Sequence, residues 1–152
     1  MQVSVRAALA AALSVTIAQL LRLEFPIYAM IAAVIVTDLS PERTRQLGLP
    51  RLAGTVVGST LGAALTPLLI PRPATLALAI MAAMWACHLL RLQDAAKVAG
   101  YVCGIVLLDH GEHPWIYGLY RLVETVLGIG VAVLISFVPK AIRTVEQDPV
   151  VT

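Results

Sequence analysis

The sequence predicts an all-α integral membrane protein, six transmembrane helices arranged as two inverted three-helix repeats. Three observations lead there. Only 13% of the 152 residues are charged and 59% are hydrophobic, with a mean hydropathy of +0.87, whereas about 25% of a soluble domain is charged. Uncharged stretches reach membrane-spanning length: neither Leu52 to Pro71 nor Pro73 to Leu90 contains an Asp, Glu, Lys or Arg. The second half of the chain also repeats features of the first in the same order. Six crossings of about 20 residues each use about 120 residues and leave only short connections. The expected division is therefore a transmembrane domain over 1–139, with repeat one about 3–71 and repeat two about 73–139, and a short cytoplasmic tail over 140–152.

Ala7 to Leu21 is the first predicted span, with Arg6 at its start. An arginine before an Ala-rich apolar run also fits a signal peptide, but this segment takes part in the repeat. Phe25 to Thr37 is the second span and Val98 to Leu108 the fifth; each is about half the usual length and each is closed by an acid, Asp38 and Asp109. Their place between full-length segments predicts short or partly re-entrant crossings. The third span, Leu52 to Pro71, is expected to start at Pro50-Arg51, and the sixth to begin before Arg121 and run through Thr125 to Pro139.

Six crossings leave both termini on one side. That side collects Arg6, Arg43, Arg45, Arg51, Arg91, Lys97, Lys140 and Arg143, against Arg22, Arg72 and Arg121 on the other. Since lysine and arginine concentrate on the cytoplasmic face, both termini are expected in the cytoplasm, in a bacterial inner membrane. Trp115, Tyr117 and Tyr120, on the opposite side, suit a membrane interface.

The repeat rests on three matches. Leu20-Leu21-Arg22-Leu23-Glu24 aligns with Leu89-Leu90-Arg91-Leu92-Gln93 at an offset of 69, Asp38 with Asp109 at 71, and Arg51-Leu52-Ala53-Gly54-Thr55-Val56-Val57-Gly58 with Arg121-Leu122-Val123-Glu124-Thr125-Val126-Leu127-Gly128 at 70. A unit with an odd number of crossings ends on the face opposite its start, so its copy runs in the inverted sense. Transporters use this architecture and place substrate at the repeat interface near the midplane, beside short or interrupted helices.

In Arg51-x-x-Gly54-Thr55-x-x-Gly58-x-x-x-Gly62 the named positions share one helix face, and the glycines let another backbone approach closely. Gly54, Gly58, Gly62 and, in the second copy, Gly128 are thus the expected helix-packing residues. Arg51 consequently points toward protein or a water-filled cavity rather than acyl chains. An intramembrane guanidinium marks a pathway or a pair, and its planar fork suits a carboxylate; the competing role is snorkelling to headgroups from a helix end. Glu124 is either a proton-coupling carboxylate or a partner for Arg121 three residues away. Arg51, Arg121, Glu124, Thr55 and Thr125 form the candidate substrate-binding set.

These paired motifs, Arg-x-x-Gly-Thr-x-x-Gly and the degenerate Arg-x-x-Glu-Thr-x-x-Gly, resemble the six-helix membrane domain of the fusaric acid resistance and aromatic acid exporter superfamily, related to the aluminium-activated malate transporters. The resemblance runs from the first span to about Pro139. It implies export or channel-like passage of organic anions, aromatic or other carboxylates, through a domain that forms a homodimer. Many members continue into a large cytoplasmic region, and what depends on that region is not carried over.

Other chemistry finds little footing. His110, Glu112 and His113 are spaced by Gly111 and Pro114 in a surface turn rather than on the rigid scaffold that metal ligands need, so neither metal nor cofactor is expected. No phosphate loop, nucleophile elbow or HExxH is present, which argues against an enzyme, and the basic residues edge membrane spans rather than forming a nucleic-acid surface. Cys87 and Cys103 lie in apolar stretches as expected buried thiols. The functional expectation is organic-anion transport by a homodimer in the lipid bilayer; the alternative is a non-transporting membrane subunit or scaffold that docks a partner protein.

Overall fold

The computed structural model describes residues 2–38, 40–68, 70, 72–109 and 113–137. Among them are six α-helices and no strand: α1 (Gln2–Leu20), α2 (Pro26–Val36), α3 (Pro41–Leu65), α4 (Pro73–Leu89), α5 (Ala96–Asp109) and α6 (Pro114–Ser136), with a 3-10 turn over Gln93–Ala95 leading into α5. The tail over 140–152 and the residues His110, Gly111 and Glu112 lie outside the described residues.

Local chemistry sets the helix ends. Proline stands in the first turn of α2, α3, α4 and α6, where its missing N–H costs nothing and its fixed φ suits the helix. Ser40 caps α3, its hydroxyl accepting the Arg43 N–H at 3.2 Å, and Thr44 in the same turn accepts the Asp38 N–H at 3.1 Å. The closing ends of α1 and α4 are alike. Arg22 (φ 52°) and Arg91 (φ 59°) take the left-handed conformation. In each case the next residue donates back to the last turn, Leu23 to Ala18 at 2.9 Å and Leu92 to Cys87 at 2.8 Å. This is the double hydrogen-bond stop that usually recruits glycine, and it gives the Leu-Leu-Arg-Leu match a structural meaning.

Two helices, α1 and α6, are long and apolar enough to cross a membrane, while α2 and α4 are apolar but shorter. The short second and fifth segments are helices of 11 and 14 residues, the first of these only about 16 Å long at 1.5 Å per residue. The third element departs from expectation. Helix α3 starts at Pro41 and ends at Leu65, so Pro50 lies inside it and Arg51 in its interior rather than at its start. Ser40, Pro41 and Glu42 supply a complete helix start ten residues upstream, and that capping outweighs the break a mid-helix proline would impose.

The bundle is assembled by close backbone contact. Helix α3 packs on α5 and α6 on α2; α1 packs on α2 and α4 on α5; α3 and α6 cross at the centre. A Cβ added at Gly58 would lie 2.5 Å from the Ala99 carbonyl oxygen, and one at Gly128 would collide with the Ala29 carbonyl oxygen. Gly54 and Gly62 likewise face Val98 and Val106 of α5 with no room for a side chain. At the crossing Gly48 meets Ile129 and Gly118 meets Ser59. The residues enclosed are correspondingly small, with Ala83, Ala99, Cys87 and Cys103 fully buried and both thiols free.

Candidate functional site

The centre of the bundle holds what a small-residue core cannot shield cheaply, namely charge. Arg51 on α3 is 6% exposed, Arg121 on α6 is 3% exposed and Glu124, one turn further along α6, is 0% exposed. The 3.6-residue period turns all three inward with the glycines. Arg51 is thus enclosed within the bundle in the interior of α3 rather than at its start.

Arg121 lies over the ring of Tyr28, with Cζ 3.5 Å from the ring centroid. A desolvated guanidinium on an aromatic face gains about 2 kcal/mol, yet its Nε and Nη1 have no hydrogen-bond partner. Tyr28 is the third residue of α2 and its hydroxyl shares a 2.8 Å hydrogen bond with that of Tyr117. The Tyr117 hydroxyl also donates to Asp109 Oδ2 at 3.4 Å. The Phe25 ring closes the cluster, edge-on to Tyr117 with centroids 5.1 Å apart. Around Arg51 the setting is sparser: Tyr101 has its centroid 6.0 Å away, and Nε is unpartnered.

Glu124 does not pair with Arg121. Its Oε1 accepts the backbone N–H of Phe25 at 2.8 Å, and its Oε2 has no partner. The structural-partner reading of Glu124 is thereby corrected: three-residue spacing brings the two groups onto one face, but the carboxylate reaches across to the start of α2 instead. Of the three buried groups, Arg51, Arg121 and Glu124, two are guanidiniums and one is a carboxyl, and Arg121 Nε and Nη1 remain without a hydrogen-bond partner. Thr55 and Thr125 occupy equivalent places and donate their hydroxyl protons to the carbonyls of Arg51 at 2.9 Å and Arg121 at 2.7 Å. Their oxygens remain acceptors only.

Other expectations are relocated. Tyr117 is 3% exposed and belongs to the arginine cluster, whereas Trp115 is 60% exposed. Asp38 faces Arg43 at 3.8 Å on the surface. Phe25 and Tyr28 were missing from the candidate set, although two aromatics flanking the proline of an unusually short helix are a readable signal in a chain with 5% aromatic residues. Open cavities of about 360, 280 and 160 Å³ lie along α3, α6 and the α4–α5 turn, and Arg51, Arg121 and Glu124 line none of these three. Among the described residues no group of His, Cys, Asp and Glu could hold a metal.

A helical bundle that buries guanidiniums with unpartnered nitrogens beside an aromatic cluster and a helix end has the makings of an anion-handling protein of the transport class. The chain belongs to the aromatic acid exporter family: the family model described as Aromatic acid exporter family member 1 matches residues 2–138. That is a family of membrane transporters, and membership carries a transport assignment rather than a catalytic one. Comparison with characterised proteins and with solved structures gave no match.

Proposed function

We propose that the protein is an integral membrane exporter that passes organic anions, aromatic or other carboxylates, out of the cell through the α3–α6 crossing. The observation that carries this reading is Arg121, 3% exposed with two unpartnered guanidinium nitrogens over the Tyr28 ring. Leaving such donors buried and unpaired is costly, and a carboxylate accepts from both in one plane. Arg51 adds positive potential along the same path, and Glu124, Thr55 and Thr125 complete the substrate-binding set.

The setting follows from the same residues. Six helices expose apolar rows, such as Leu9, Leu13 and Ile17 on α1 or Leu78, Met81 and Trp85 on α4, which suits acyl chains and not water. The two halves are an inverted pair. Gly58 meets Ala99 as Gly128 meets Ala29, Gly48 meets Ile129 as Ser59 meets Gly118, and Arg22 and Arg91 close α1 and α4 alike; each of these correspondences has an offset of 69 or 70. Both termini lie in the cytoplasm, with the bacterial inner membrane as the location and a homodimer as the working unit.

The test is benzoate flux in liposomes containing purified protein. Wild type should carry benzoate, and Arg121→Ala should abolish flux while eluting as the same oligomer. Equal flux in both would remove Arg121 from the path, and none in wild type would remove the proposal and favour a subunit that docks a partner protein.

A further inference from the structure

The amino-terminal end of α2 is unusual in three respects. Phe25 at its cap position has no side-chain capping bond of its own and Pro26 follows it, so the Phe25 N–H is a donor that the helix itself does not satisfy. Two ionisable side chains from α6 converge on this one turn. Glu124 Oε1 takes the Phe25 N–H at 2.8 Å, and the Arg121 guanidinium lies over Tyr28. Both are more than nine-tenths buried, and each keeps unpartnered atoms, Oε2 on one and Nε and Nη1 on the other.

A helix amino terminus carries partial positive charge and favours a carboxylate, and so does an unpaired guanidinium. The pseudo-equivalent position shows what happens without the acid: Gly54 stands where Glu124 would be, and the α3 backbone closes onto Ala95 and Val98 with no space for a side chain. Where the Gly54 turn of α3 meets the start of α5 by direct backbone contact, the corresponding turn of α6 meets the start of α2 through the Glu124 side chain, itself a carboxylate.

We propose that Glu124 is a tethered stand-in for the substrate carboxylate. It occupies the amino-terminal end of α2 through Phe25 N–H, and an incoming anion must displace it to bridge that helix end and Arg121. This rests on the anion-transport reading and adds competition to it. A covalently attached competitor lowers the apparent affinity for the substrate by the fraction of time it holds the site. The exporter thereby returns to an occupied, low-affinity state after each release, which opposes re-binding.

Two substitutions separate competition from simple charge. Glu124→Asp keeps the charge near Arg121 and loses the reach to Phe25 N–H; Glu124→Gln keeps the reach and loses the charge. Calorimetric titration of the purified proteins with benzoate should show both binding tighter than wild type, by about fivefold or more. The chain has two phenylalanines, Phe25 and Phe137, so isotope-labelled phenylalanine gives two amide resonances, assigned with Phe137→Leu. Saturating benzoate should move the Phe25 resonance in wild type, a readout that stands even if Glu124→Asp does not fold. Wild-type affinity in Glu124→Asp beside tighter binding in Glu124→Gln would mean charge alone and overturn the competition. An unmoved Phe25 resonance at saturation would do the same while leaving Arg121-dependent binding, and hence the transport reading, intact. Failure of every protein to bind benzoate would remove both.

Discussion

At the scale of single residues, the arrangement separates two groups that one of the sequence readings placed in a pair. Arg121 is held by an aromatic face and Glu124 by a backbone N–H, so their removal should have different consequences. Tyr28→Leu removes the ring beneath the guanidinium and the hydroxyl that meets Tyr117 at 2.8 Å. It should weaken benzoate binding about tenfold, in keeping with a desolvated cation–π contact, as measured by calorimetry. Tyr101→Leu, next to Arg51 at 6.0 Å and 38% exposed, should change it by less than about threefold, since exposed pairs of this kind contribute little. Equal effects would show that the Tyr28 cluster is not the binding centre. The arginines, the acid and both threonines were legible because a 3.6-residue period and a 70-residue offset are properties of sequence. Phe25 and Tyr28 could be noticed as aromatics beside Pro26, but their meeting with Arg121 and Glu124 could not, because it depends on α2 meeting α6 across 99 positions of chain, a contact no local pattern encodes.

Individual helices show where propensity and packing part company. Helix α3 runs through Pro50 because Ser40 and Pro41 start it well before the proline, so a boundary read from proline alone falls ten residues late. Its glycine face, by contrast, was fully legible: four-residue spacing of small residues means close helices whatever the partner. Gly58→Leu should disrupt the bundle, since even a Cβ would sit 2.5 Å from the Ala99 carbonyl oxygen; Gly130→Leu should be tolerated, because nothing lies within 4 Å of its Cβ position. Thermal unfolding in detergent, followed by circular dichroism, should show a much lower midpoint for the first only. The helix ends offer the opposite sign. Arg22 and Arg91 occupy left-handed conformations that cost a non-glycine residue about 1 kcal/mol, so Arg91→Gly should raise stability slightly by the same measurement. A lowered midpoint would show that the arginine side chain contributes more than its backbone conformation costs.

For the whole molecule, the proposed inverted pair makes a claim about topology that the fold by itself does not test. Contacts at equivalent offsets, Gly58 with Ala99 and Gly128 with Ala29, are what the proposed internal two-fold relation requires. Only if that axis lies in the membrane plane do the two halves face opposite sides. The charges give the relation a direction, because the side bearing Arg43, Arg45, Arg91 and Lys97 carries more positive charge than the side bearing Arg22 and Arg72, and such an excess marks the cytoplasmic face. The turn between α4 and α5 and that between α2 and α3 must then share one side. Since the native thiols Cys87 and Cys103 are buried, single cysteines can be introduced at Gln46, Gln93 and Glu24 in a background with both replaced by alanine. An impermeant maleimide added to intact cells should label the Glu24 position alone, and reach the Gln46 and Gln93 positions after the membrane is opened. Labelling of Gln46 and Gln93 from opposite sides would break the inverted relation. Labelling of both from outside would keep the repeat and reverse its orientation, placing the Arg121 and Tyr28 cluster nearer the cytoplasm, where it would meet substrate first rather than release it last.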